Sequence, residues 1–284
     1  MNSVFEELRP QLFALAYRMM GTRADAEDIV QEAFIRWQGA DHRDVRSARS
    51  YLNAVVARLS LDALKSARRT RETYVGTWLP EPIALSDRPD AQLELADTLS
   101  VAFLHVLESL SPAERVAFLM REVFGEDYSQ VAAILDTSEA NCRQLVARAR
   151  QHVQSKRPKY RVDPDRHRQV LREFLMACAS DDKNTLVGLL REDSVLYSDG
   201  GGKVAAALNP IYGSDRIARF FFGVRHKFPR ELRPVAVVAG GVPSVLLYEG
   251  DQLDSLLNLD LDDDGRIAGI YIIRNPDKLA AAHP

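Results

Sequence analysis

Ser138, Glu139, Asn141, Arg143 and Gln144 place five hydrogen-bonding side chains within seven residues. Their chemistry suits the edges of nucleic-acid bases. A carboxylate accepts from cytosine N4, an amide pairs with adenine, and a guanidinium pairs with guanine. Arg148, Arg150 and Lys156 follow, and such cations suit backbone phosphates. Around them the sequence spells a short helix (129–135), a tight turn at Asp136-Thr137 and a helix from Ser138 to about Gln154. With the small Ala132 and Ala133, these lengths fit a helix-turn-helix, whose second helix enters the major groove with its N-terminal residues. An ordinary helical hairpin has the same lengths.

Two further groups precede it. In the stretch Asp25 to Trp37, helical spacing places Asp28, Gln31 and Glu32 on one polar face, with Phe34 and Trp37 expected to project beside it. An acidic face with aromatic anchors suits a basic, partly apolar protein groove; a solvated bundle helix would look alike. In 48–72, Arg58, Asp62, Lys65, Arg68 and Arg69 share one side. The cations can position phosphates, and Tyr51, Tyr74 and Trp78 offer rings for exposed bases. A charged stripe on a surface helix is the plainer reading.

Near the C-terminus, Asp199-Gly200-Gly201-Gly202-Lys203 forms a glycine turn. Its backbone amides could face an anion. It is not a P-loop, because Val204 follows the lysine. Asn275-Pro276-Asp277-Lys278-Leu279 has the form of a turn entering a terminal helix. Asp260, Asp262, Asp264 and Gly265 resemble the start of a calcium loop, but the twelfth position is Tyr271 rather than Glu. No histidine or cysteine group has zinc spacing. Asp215, His226 and Asp254 are the acids and bases available to a catalytic tail, and they fall in no catalytic pattern.

These groups sit in a chain of 284 residues, 46 % apolar and 27 % charged, with a net charge of −3. The length implies two or three domains. The charge alone argues against nucleic acid, but its distribution does not. Basic residues concentrate in 41–75 and in 138–161, where Glu139 is the one acid, and local islands of this kind meet phosphates. The two cysteines, Cys142 and Cys178, suit a reducing cytosol and no disulfide framework. Cys142 is expected to be a buried structural thiol. No segment reads as a membrane span or secretory signal, so a cytoplasmic protein is expected.

Helical periodicity covers residues 1–75, with Gly21 closing the first helix and Asp25 opening the next. Pro80, Pro82 and Pro89 break the pattern. Helices resume at about Ala91, with Ser111-Pro112-Ala113-Glu114 as a capping box. Beyond Asp163 come helices near 164–180, 182–191 and 214–227. Strands are then expected near 232–239, 244–249, 253–261 and 266–273, turning at Asp263-Asp264-Gly265. Helices followed by antiparallel strands predict an α+β domain.

Three segments together resemble the extracytoplasmic-function (ECF) sigma factors: EDIVQEAFIRW (27–37), SYLNAVVARLSLDALKSARR (50–69) and LSPAERVAFLMREVFGEDYSQVAAILDTSEANCRQLVARAR (110–150). They lie in family order and cover about half of the chain. The resemblance implies sigma domain 2 over 1–75, a linker over 76–95 and sigma domain 4 over 96–160. Residues Asp25, Glu27, Asp28, Gln31, Glu32, Phe34 and Trp37 would bind core RNA polymerase. Tyr51, Arg58, Asp62, Lys65, Arg68 and Arg69 would hold the −10 element. Ser138, Glu139, Asn141, Arg143, Gln144 and Arg148 would read the −35 element. Arg58 departs from the pattern, standing where many members carry a polar uncharged residue that captures a flipped base.

Residues 163–284 resemble the SnoaL-like domain, a cone-shaped α+β fold, that is fused to one subgroup of these factors. There the tail modulates sigma activity in cis. The resemblance implies that 199–203 and 275–279 contact the sigma part within the molecule. The expected partners are therefore bacterial core RNA polymerase and promoter DNA, with no membrane, no cofactor and no metal, and an unknown small ligand in the cone left open. The expected mechanism is recruitment rather than catalysis. A ligand-sensing helix-turn-helix regulator and a cyclase-like enzyme with a fused DNA-binding region are the rival readings.

Overall fold

A computed structural model describes residues 2–83 except 42 and 44, then 100–156, 162–228 and 230–280. The chain divides into two compact units. Met1–Thr73 and Leu104–Arg157 form the first; Tyr74–Phe103 and Pro158–Pro284 form the second. The two expected sigma domains are thus parts of one unit. Tyr74 and the described part of the expected linker (76–83) belong to the other. Residues 84–95 lie outside the described residues.

The first unit is helical: α1 (Asn2–Met20), α2 (Arg23–Gly39), α3 (Ala48–Glu72), α4 (Val101–Glu108, entering the unit at Leu104), α5 (Pro112–Phe118), α6 (Tyr128–Leu135) and α7 (Glu139–Lys156). Leu12, Leu15, Ala16 and Met19 recur at three- and four-residue steps and are all buried, as an apolar stripe requires. Gly21 closes α1 at φ 75°. The next helix is capped by Thr22, whose hydroxyl accepts from the Asp25 amide, so Asp25 lies in the first turn rather than at the cap. The Ser111–Glu114 capping box forms as expected. A π-helical turn (Leu119–Val123) follows α5, and Gly125 comes after it at φ 73°.

A polar seam joins α1 and α3 to the later helices. Asn53 donates to Glu126 at 2.8 Å and accepts from Gln11. Arg115 donates to the Met19 carbonyl and to Glu108. The Arg18 guanidinium lies 5.7 Å from the Phe124 ring centre, and burial lowers its pKa to about 10. Asn53, Arg115, Glu126 and Arg18 are all buried.

The second unit comprises α8 (Pro164–Ala179), α9 (Lys183–Leu189), β1 (Leu190–Asp199), β2 (Ile211–Tyr212), α10 (Ser214–Lys227), β3 (Leu232–Ala239), β4 (Val242–Glu249), β5 (Gln252–Leu261), β6 (Ile267–Ile273) and α11 (Pro276–Leu279). This is the predicted α+β domain with one correction. The sheet is mixed, in the order β2-β1-β6-β5-β4-β3, and β1 runs parallel to β6. The four expected strands are present; β1 and β2 are additional. Alternation gives the sheet two buried faces. One packs Leu196, Val245, Leu257, Leu259 and Ile270 against Val170, Phe174, Leu186 and Ile217 from the helices. The other packs Leu246, Leu256, Tyr271 and Ile273 against Leu79, Val101, Ala102 and Leu279.

The turn between α6 and α7 depends on Asp136 at φ 50°, ψ 54°, a left-handed conformation that costs an L-residue roughly 1–2 kcal/mol. Asp136→Gly is expected to raise the thermal unfolding midpoint by relieving up to about 1 kcal/mol. Asp136→Val is expected to lower it by about 1–2 kcal/mol.

Candidate functional site

Helix α7 sorts its residues by face. Cys142, Leu145, Val146 and Ala149 are buried, whereas Ser138, Glu139, Asn141, Arg143, Gln144 and Arg148 are exposed. The buried Cys142 thiol has its pKa raised, by desolvation first and then by Glu139. The Ser138 hydroxyl accepts from the Asn141 amide, and Asn141 donates to Thr137, which fixes the start of the helix. Arg148 pairs with Glu114 at 3.1 Å and Arg150 with Glu122 at 2.7 Å. Arg143 pairs with Glu139 at 2.9 Å and lies 4.9 Å from the Tyr128 ring centre.

Helix α2 exposes Asp25, Glu27, Asp28 and Gln31, with Glu32 half-buried. Its aromatics depart from expectation. Trp37 is buried against Tyr51, ring centres 5.7 Å apart, so it is a core residue rather than a projecting anchor. Phe34 is half-buried and packs on Phe5 at 4.9 Å. The apolar residue on the surface is Ile35, 54 % exposed. Helical spacing aligns it with Asp28, Gln31 and Glu32.

On α3, Tyr51 is half-buried beneath Trp37, and Lys65 pairs with Asp62 at 2.9 Å. Arg58 reaches α6 and donates to the Ala133 carbonyl at 2.7 Å. Arg68 and Arg69 lie on the helix, but their side chains fall outside the described residues. Tyr74 and Trp78 are not free to stack on bases, because both engage Lys278 of the second unit's own fold.

That engagement belongs to a buried polar cluster of the second unit. The Asp199 carboxylate, wholly buried, accepts from Tyr74 Oη at 2.6 Å, Gly201 N at 3.0 Å, Leu79 N at 2.9 Å and Lys278 Nζ at 2.6 Å. Lys278 also donates to the Leu79 carbonyl and lies 4.2 Å from the Trp78 ring centre and 5.0 Å from that of Tyr74. Asn275 donates to Tyr74 Oη at 2.9 Å. Burial first, then Asp199, pushes the Tyr74 phenol well above its usual pKa, so it remains a donor.

The glycines have steric reasons to be there. A Cβ on Gly200 would sit 2.3 Å from the Val204 carbonyl oxygen; one on Gly201 would sit 2.5 Å from the Asn275 side chain. Lys203 and Asp277 pair at 2.6 Å on the surface, and Pro276 is the first residue of α11, while Leu279 is buried beside Leu79. The structure therefore brings together the two tail motifs, 199–203 and 275–279. It also supplies what they hold, residues 74–79, whose Tyr74 and Trp78 were expected to stack on bases.

The other acids and bases have separate partners. Asp215 pairs with Lys183, Asp254 with Arg230 and Arg274, and His226 approaches Asp181. Asp262 accepts from the amides of Asp264 and Arg266, which makes it the turn residue of the β5–β6 hairpin. No helix among the described residues is long and apolar enough to cross a membrane.

Residues 4–70 match the Sigma-70 region 2 family and residues 100–153 match Sigma-70, region 4. The chain is 38 % identical over 294 residues to the ECF RNA polymerase sigma factor SigJ of Mycobacterium tuberculosis, covering 99 % of this chain and 93 % of that protein. It is 35 % identical to the probable ECF RNA polymerase sigma factor SigI of the same organism, covering 95 % and 92 %. The crystal structure of M. tuberculosis SigJ superposes with a TM-score of 0.79 at 34 % identity, covering 99 % of both chains.

Removing one partner of a buried ion pair costs about 3–5 kcal/mol. Lys278→Met is expected to lower unfolding stability by that order and to speed amide exchange across residues 74–83. The double variant Asp199→Asn/Lys278→Met is expected to lose less than the sum of the single losses. Additive losses would mean that the two groups are not coupled.

Proposed function

Because the chain belongs to the extracytoplasmic-function RNA polymerase sigma factors, we propose that it recruits bacterial core RNA polymerase to promoters through three surfaces. The α2 stripe of Asp28, Gln31, Glu32 and Ile35 docks on the polymerase. Its charge and single apolar contact suit a basic groove with an apolar floor. The exposed side of α3 holds the −10 element. The N-terminal half of α7 reads the −35 element. One observation carries the DNA reading: α7 buries its apolar residues while all six candidate readers stay exposed. The acidic stripe of α2 favours a polymerase-binding factor over a ligand-sensing regulator or a fused cyclase, since neither needs it.

The same reading gives the polar seam a role. Holding a promoter at two points requires α3 and α7 to engage DNA together, yet Arg58 is bound to the Ala133 carbonyl. The first unit must part along this seam. Asn53, Glu126, Arg115 and Arg18 regain water when it does, as in other separable interfaces. The second unit acts in cis by holding residues 74–79, the start of the connection between the two modules.

Asp28→Lys/Glu32→Lys is expected to abolish capture by core polymerase while the circular dichroism spectrum stays unchanged. Retained holoenzyme would remove α2 from the polymerase interface. Arg143→Ala is expected to weaken −35 binding by about 1–3 kcal/mol, the usual worth of a bidentate base contact. Run-off transcription with purified core enzyme tests the whole reading.

A further inference from the structure

Arginine is a flexible side chain, and a base contact needs its planar fork held in one orientation. Arg143 is more than half exposed, yet two groups restrain it. Glu139, one turn earlier, accepts from its Nη2 at 2.9 Å. Tyr128, the first residue of α6, faces its guanidinium at 4.9 Å. Tyr128 is itself fixed. Its preceding residue, Asp127, closes a capping box with Gln130, and Arg121 lies 4.8 Å from the same ring. Arg121 comes from the π-helical turn and donates to the Glu126 carbonyl at 3.0 Å. A phenol ring that attracts two guanidinium groups at this range is a cation–π platform.

We infer that Tyr128 is a positioning residue for promoter reading: its ring holds the Arg143 fork in the orientation that contacts a base pair. The inference rests on the reading that α7 recognises the −35 element. The ring acts through Arg143, so its loss should relax specificity at one base pair. Loss of a ring that touched the DNA backbone instead would lower affinity for all sequences alike.

The full chain, assembled with core RNA polymerase, is selected against a duplex library randomised across the −35 region at fixed salt. Arg143→Ala is expected to flatten the preference at one base pair. Tyr128→Leu is expected to reduce the preference at that same pair about tenfold, and Tyr128→Phe to retain it. An altered profile for Arg143→Ala but not for Tyr128→Leu overturns the positioning role and leaves the α7 reading standing. An unchanged profile for Arg143→Ala overturns both.

A second measurement does not need DNA. Nitrogen-15 relaxation of Arg143 Nε in the free full chain should report a rigid side chain in the parent and in Tyr128→Phe, and a mobile one in Tyr128→Leu. Equal mobility in all three overturns the proposal.

Discussion

The carboxylate of Asp199 is the constraint on which the second unit turns. A buried charge is tolerated only when it is paired and hydrogen-bonded. Here both oxygens are saturated, each by two donors. Two of those donors, the Tyr74 hydroxyl and the Leu79 amide, come from a stretch without helix or strand that the chain reaches some 120 residues before Asp199. A third, Lys278, comes from the C-terminal turn. Three distant parts of the sequence are therefore tied to one side chain, and the glycines beside it exist because nothing larger fits between the strands of that knot.

The first unit obeys the opposite logic. Asn53, Glu126, Arg115 and Arg18 are buried there, and each hydrogen-bonds or stacks between the unit's earlier and later helices. Burying polar groups in this way brings the helices together at little net gain.

Much of this was legible in the sequence. The period of Leu12, Leu15, Ala16 and Met19, the Ser111–Glu114 capping box and the Asp136-Thr137 turn are local signals, and each appears in the structure. The failures were non-local. In strand β1 the charged Arg191, Glu192 and Asp193 directly follow Leu190, and its register with β6 shifts between Leu190 and Val195. Its pairing is decided by a strand more than seventy residues away. Ile35 and Trp37 are both apolar, and residue type suggested Trp37 as the anchor; packing on Tyr51 reversed that. Tyr74 and Trp78 follow a basic helix and invited a base-stacking role. Their real partner, Lys278, is about 200 residues distant. Periodicity reveals which faces are apolar, but not which distant cation a ring will meet.

The membership of Leu79, Val101 and Ala102 in the core of the second unit has a topological consequence. That unit is built from two pieces of chain, and residues 104–157 enter the sequence between them as an insertion. A C-terminal fragment beginning near residue 163 would lose Leu79, Val101 and Ala102 from the apolar lining of one sheet face and would leave Lys278 without Tyr74, Trp78 or the Leu79 carbonyl. The compact unit is therefore discontinuous in sequence. A cut made at the apparent family boundary would divide a single hydrophobic core.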